Sequence, residues 1–179
     1  MNDDVEWLRP DEWLRPDEVR AWLAVAGLLE ALPAVLNSQL KNDAGVNHFE
    51  YMLLAGLSES PGRSSPTSEI AAFAAGSLSR VSHALTRMES RGWVERGPRG
   101  GPGGQTAVTL TDEGMEIVRR AAPGHVAQVR ELVVDRLGRE DALELGRLAG
   151  RVLEGANPAV HRMLMDRYPE QDVRPDDRD

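Results

Sequence analysis

The residues best equipped for chemistry in this 179-residue chain cluster between Ser77 and Arg99. The run "SLSRVSHALTRMESR" (77–91) carries Ser79, Arg80, Ser82, His83, Thr86 and Arg87, and Arg96 and Arg99 follow it. Short hydroxyls and arginines at helical spacing do not make a nucleophile or an acid/base pair. They are hydrogen-bond donors and fixed positive charge, the groups that reach base edges and phosphates in duplex DNA. Serine and threonine pair with several base edges, whereas arginine forks best to guanine. His83 has two readings, a donor to a phosphate or base and an ordinary solvated helix residue. For the stretch as a whole the plain alternative is a solvated helix face.

Other chemistries find no seat. The four histidines (His48, His83, His125, His161) include no pair at metal-ligand spacing, and neither Glu-x-x-His nor His-x-x-x-His occurs. No metal is expected. The chain has no cysteine, which removes disulfides, thiolate metal sites, cysteine nucleophiles and thiol redox sensing together. No serine sits in a nucleophile elbow. The carboxylates lie mostly on polar helix faces and tails, where they are solvated charge. The expectation is a protein that is not an enzyme and holds no cofactor.

Composition bounds the partners. A hydrophobic share of 41% is enough for a core, and the length suits one domain with extensions. The net charge of −8 taken whole argues against nucleic acid. Its distribution does not: acidic residues crowd the first twenty positions and the tail from Asp166, while Arg80, Arg87, Arg91, Arg96 and Arg99 are opposed only by Glu89 and Glu95. A basic island in an acidic chain is more informative than the sum. No window approaches a membrane span by this reading, and the N-terminus is acidic where a signal peptide is basic, so a cytoplasmic protein without membrane contact is expected.

These residues need elements to hold them. Residues 6–17 read "EWLRPD" twice, an arm lengthened by local duplication. Apolar residues recur at helical spacing from about Asp17 to Asn42, with Pro33 expected to kink or split the helix and Gly45 to end it. Asn47 and Glu50 form a capping box for a helix over 49–57, and "ESPGRSSP" reads as a loop. Thr67 or Ser68 caps a short helix that Gly76 breaks; Ser77 caps the next, which stops at Gly92. Two helices joined by a glycine-containing turn outline a helix-turn-helix. Short strands follow at 93–96 and 106–110. A long helix starts at Thr111–Asp112 with an interruption at Pro123–Gly124, then a last helix runs over about 139–154. At most one short helix and a frayed acidic tail follow.

Between the two strands lies "RGPRGGPGGQTAVTL" (96–110). A phosphate-binding loop of the Walker type carries a lysine and opens a helix; this run has no lysine and leads into a strand. Directly after a helix-turn-helix, a hairpin with a glycine-rich tip makes a wing. In the helix before it, Leu78, Val81, Leu85 and Met88 form one apolar face for a core, leaving the polar set on the other side. Thr67 and Ser68, at the preceding helix start with its backbone N–H groups, are candidate phosphate clamps. The fold class read from this order is mainly α with a small β-hairpin (α+β).

"SEIAAFAAGSLSRVSHALTRMESRGWVER", the glycine-rich turn and "AVTLTDEG" together resemble the MarR (multiple antibiotic resistance regulator) family of bacterial transcription factors, in the variant of actinobacteria. Gly92 before an aromatic residue, Val94-Glu95-Arg96, and Leu110-Thr111 with Gly114 are the sharpest matches. The block covers about residues 67–120, and the helices on either side follow the family's order. The resemblance implies a homodimer with interlocked N- and C-terminal helices and two winged lobes on a pseudo-palindromic operator in double-stranded DNA. It also implies a repressor released by a small, often aromatic or phenolic ligand. Long apolar faces on the first and last helices, more than a small lobe covers, fit a dimer. The family's wing carries Asp-x-Arg near its tip, and those positions hold Pro102 and Gly104 here. Arg99 or Gln105 takes their place, arginine being the better fit to a narrow minor groove; otherwise the wing contributes little.

The division expected is an acidic arm over 1–16, a dimerisation helix over 17–46 and a DNA-binding lobe over 47–111. Within the lobe the recognition helix spans about 77–91 and the wing about 97–105. C-terminal dimerisation helices over 112–165 and an acidic flexible tail over 166–179 complete it. The DNA-facing set is Thr67, Ser68, Ser77, Ser79, Arg80, Ser82, His83, Thr86, Arg87, Arg96, Arg99 and Gln105. Among the N-terminal tryptophans, Trp22 is the one positioned to line a ligand pocket as well as a dimer contact. The alternative function is a winged helix used for protein contact or dimerisation, without DNA.

Overall fold

A computed structural model of the protein describes residues 13–97 and 107–169. In chain order its elements are α1 (Pro16–Ala44), α2 (His48–Ser58), β1 (Ser64–Pro66), α3 (Thr67–Phe73), α4 (Leu78–Ser90), β2 (Val94–Arg96), β3 (Ala107–Leu110), α5 (Asp112–Val129), α6 (Asp135–Ala156) and α7 (Pro158–Arg167). A π-helical turn at Arg130–Val134 joins α5 to α6. Helices with one small sheet are the α+β winged class that the sequence predicts. Outside the described residues lie the first "EWLRPD" copy, the wing tip with Arg99 and Gln105, and the acidic tail beyond residue 169.

Short-range chemistry sets many element ends. The Asn47 side chain accepts from Glu50 N at 2.9 Å while the Glu50 carboxylate accepts from Asn47 N, so α2 opens on a full capping box. Ser77 caps α4 through Arg80 N, and Thr111 caps α5 through Gly114 N. Gly45 and Gly92 close α1 and α4 in the left-handed region, at φ 68° and 72°.

The lobe's core gathers Leu53, Leu54 and Leu57 of α2, Ile70 of α3, Val81, Leu85 and Met88 of α4, and Val94, Val108 and Leu110 of the strands. The strands form an antiparallel sheet in the order β1-β3-β2, with Ser65 opposite Val108 and Val94 opposite Leu110. Leu40, Ala44, Ile117, Val118 and Ala121 carry the same core into α1 and α5.

Several sequence expectations are corrected. Pro33 does not split α1, and Pro123–Gly124 does not interrupt α5. Both prolines lie on exposed sides of their helices, where a carbonyl left without its N–H is open to solvation. Gly124 lets α5 close on α1: a Cβ there would meet the side chains of Asp43 and Gln39. "SSP" is a strand, not loop. Neither Thr67 nor Ser68 caps α3, whose cap is Pro66. The left-handed residue of the helix-turn-helix is Ala75, at φ 48°, while Gly76 is required by close packing, its missing Cβ falling 2.6 Å from Phe49. Leu78 is not in the core stripe, which consists of Val81, Ala84, Leu85 and Met88. Finally, α1 does hold an 18-residue window with mean hydropathy 1.6, long and apolar enough to cross a membrane by length and composition. The reason is that residues 21–40 carry one charge, Glu30.

The long helices leave much apolar surface outside. Trp22, Leu23 and Leu29 of α1 and Leu143, Leu148 and Val152 of α6 are exposed, and no residue of α6 is buried. Gly138, at φ 76°, breaks the first turn of α6, so its regular part begins at Arg139. The last helix, α7, is capped by Asn157 and folds back onto the lobe. There Arg167 donates to Gly56 O at 3.1 Å and lies over the Phe73 ring, and the Tyr168 hydroxyl donates to Glu59.

Candidate nucleic-acid interface

With Val81, Ala84, Leu85 and Met88 buried, helical periodicity turns Ser79, Arg80, Ser82, His83, Thr86 and Arg87 outward, and all six are exposed. Ser77, also exposed, fixes the start of this face by accepting from Arg80 N at 3.3 Å. The sequence-predicted set on α4 is thus on one solvent-facing side of one helix.

The arginines are held by partners in the protein. Arg80 lies over the Phe49 ring, 4.0 Å from its centroid. Arg87 Nε donates to Glu50 Oε1 at 3.1 Å and its Nη1 to His83 O at 3.2 Å. Glu50 is only 3% exposed, and Arg91 approaches its other oxygen at 3.9 Å. Arg91 also lies over the Trp93 ring. A buried carboxylate therefore sits behind two arginines whose own side chains are about half exposed. Their charge is oriented without being hidden.

Arg96, in the expected DNA-facing set, is tied inside the protein as well. It turns toward α4, donating to Ser82 O at 3.1 Å and Thr86 Oγ1 at 2.8 Å, with Glu89 Oε2 3.4 Å from its Nε. Its role in the structure is to strap β2 to α4, and it occupies the Thr86 hydroxyl while doing so. Thr67 and Ser68 open α3 at the edge of the lobe. Trp22 is exposed on α1. Sequence reasoning passed over Phe49 and the tie that Glu50 makes to α4. Glu50 was legible as a cap, but its bond to Arg87 spans 37 positions and has no local signal.

Where the lobe meets α5, two imidazoles and a phenol come together. The His125 ring is 4.6 Å from that of Tyr51 and 6.0 Å from that of His48. Burial, then the charge of Arg80, lowers the pKa of His48; burial, then the charge of His48, lowers that of His125. The Tyr51 hydroxyl is pushed up by burial and then by Glu59.

A helix-turn-helix whose second helix presents donors and arginines, followed by a β-hairpin that pairs with a strand preceding it, defines a winged helix-turn-helix protein. No family model matches the chain, and no curated protein does. Solved structures do. The chain is 41% identical to Sco3205, a MarR family transcriptional regulator from Streptomyces coelicolor in complex with DNA, covering 80% of this chain and 90% of that one at a TM-score of 0.76. It is 33% identical to AbsC, a MarR family transcriptional regulator from the same organism, over 82% and 98% of the two chains, again at 0.76. PcaV, a transcriptional regulator of S. coelicolor solved with its natural ligand, shares the fold at 19% identity over 80% and 94%, with a TM-score of 0.59. The chain belongs to the MarR family of transcriptional regulators.

Proposed function

We propose that this regulator binds a pseudo-palindromic operator in double-stranded DNA as a homodimer, and represses until a small, aromatic or phenolic effector releases it. The observation that carries the reading is the face of α4: Ser79, Arg80, Ser82, His83, Thr86 and Arg87 exposed together, on a helix locked to its lobe by the opposite side. Its 41% identity to a regulator solved in complex with DNA supports the same reading.

In this reading Ser79, Arg80, Ser82 and His83 face bases or phosphates, with Thr86 and Arg87 further along and Ser77 as the cap. Thr67 and Ser68 contact phosphate from α3. Arg96 and Arg99 serve the wing's phosphate or minor-groove contacts, with Arg99 or Gln105 at its tip. The uncovered apolar faces of α1 and α6 meet a second copy, dividing the chain into dimerisation helices (17–46 and 112–165) around a DNA-binding lobe (47–111), with acidic segments at 1–16 and 166–179. Trp22 is a candidate for the effector pocket, and the site of action is the cytoplasm.

The test is fluorescence anisotropy against a duplex from the upstream region of the protein's own coding sequence and a scrambled duplex, across a salt series. A random-sequence selection runs beside it. A preference of about a thousandfold with a steep log–log salt slope supports the reading. Equal weak binding, with nothing enriched by selection, sinks it and leaves a winged helix used for protein contact.

A further inference from the structure

Among the described residues, the strongly exposed large apolar side chains lie on α1, α5, α6 and α7 or directly beside them, with one exception. That exception is Leu78, 62% exposed on the lobe. The long helices have a second copy to cover them. Leu78 belongs instead to α4, which packs against α3 and β2 of its own lobe rather than on the long helices.

Its position is equally specific. Leu78 is the first helical residue after the Ser77 cap, and the buried stripe begins only at Val81. Ser82 stands one turn further on the same side of the helix, and Ser79 and Arg80 are its chain neighbours. No other exposed apolar residue adjoins it on α4, so it is not part of a patch of the size that docks a protein. A lone leucine at the leading end of a recognition helix suits an apolar group of about its own size.

We infer that Leu78 reads a thymine, packing against its 5-methyl group in the major groove of each half-site. The inference rests on the operator-binding reading above. Thymine alone among the bases presents an apolar group in that groove; the other edges present donors and acceptors. Leucine set against those edges removes water from polar atoms and returns no hydrogen bond, a penalty that rejects the wrong base. The hydroxyls and arginines of α4 attract; Leu78 discriminates.

The experiment replaces single thymines of the selected operator by deoxyuridine, which deletes the methyl and keeps the pairing. The full-length protein and its Leu78→Ala variant are titrated on each duplex. At one thymine per half-site the parent protein loses about fourfold in affinity, the worth of one buried methyl. Leu78→Ala starts weaker on the intact operator and is indifferent to that same replacement, with its melting temperature unchanged. If every thymine methyl is dispensable to the parent protein, or the loss persists in Leu78→Ala, the inference is overturned while operator binding stands. If Leu78→Ala binds every duplex like the parent, it is overturned likewise, and the leucine serves a protein contact. A selection that enriches no sequence overturns the operator reading, and the inference falls with it.

Discussion

The guanidinium of Arg80 lies 4.0 Å above the ring of Phe49, and the same ring closes on Gly76 in the turn of the helix-turn-helix. One aromatic side chain of α2 thus sets both the turn and the direction of the first arginine on α4. Arg80→Ala is expected to cost roughly 1–3 kcal/mol on the preferred duplex and to blur its sequence preference. Anisotropy against preferred and scrambled duplexes measures both, and parent-like values on each remove Arg80 from the site.

In the operator-binding reading, Glu50 competes with phosphate for Arg87, and its charge lies beside Arg91 as well. In Glu50→Gln the amide still serves the helix cap, but the negative charge behind the arginines is gone. Non-specific duplex binding should tighten and the log–log salt slope steepen by about one. Thermal stability should fall, because the charge-assisted hydrogen bond from Arg87 is worth about 1.5–3 kcal/mol. A slope equal to that of the parent means that Glu50 does not hold back these cations.

Two glycines separate rigid from yielding neighbours. A Cβ on Gly114 runs into the carbonyl oxygen of Trp93 and falls 2.7 Å from Leu110 Cδ1. Backbone cannot swing aside, so Gly114→Ala should cost roughly 1–3 kcal/mol, visible as several degrees in Tm. Gly124→Ala meets the side-chain ends of Asp43 and Gln39, which can rotate away, and should cost less. The reverse order of melting temperatures contradicts this account.

Acid should loosen the junction of the lobe and α5. His48 and His125 both have pKa values lowered by folding, so the unfolded chain takes up their protons more readily than the folded one. Their contribution is fully present above the ordinary imidazole value of about 6.5 and is lost as pH falls below it toward the folded values. Melting curves between about pH 7.5 and 5 should show Tm falling over this window, and His48→Gln with His125→Gln should flatten that fall. An equal slope in the double variant assigns the loss to other groups.

Val152 is 72% exposed in the single chain, on the α6 face shared with Leu145 and Leu148. Val152→Asp should yield monomers in sedimentation velocity at concentrations where the parent is dimeric, and weaken operator binding with it. Dimers of parent-like stability rule this face out as the interface.

Much of the frame was legible because its signals are local. The Asn47–Glu50 box, the Ser77 cap, and Gly45 and Gly92 each act within a few positions, and the core stripe of α4 follows from period alone. Pro33 and Pro123 misled because proline breaks helices on average, whereas an exposed carbonyl beside it is satisfied by water. Leu78 misled because it is in phase with Val81 and Leu85, yet α4 begins a turn before the core does. β1 is three residues long and exists only through its pairing with β3. The ties that orient the arginines (Phe49 to Arg80, Glu50 to Arg87) depend on how α2 meets α4, and no pattern along the chain encodes that.

The Thr111 hydroxyl donates to Gly92 O and accepts from Gly114 N, while its backbone N–H is held by Trp93 O. One residue therefore welds together the end of α4, the foot of the hairpin and the first turn of α5. Mechanically there is no joint at that corner: the end of α4, the foot of the hairpin and the start of α5 form one block. A push on the start of α5 is therefore passed to the foot of the hairpin and the end of α4 rather than absorbed between them.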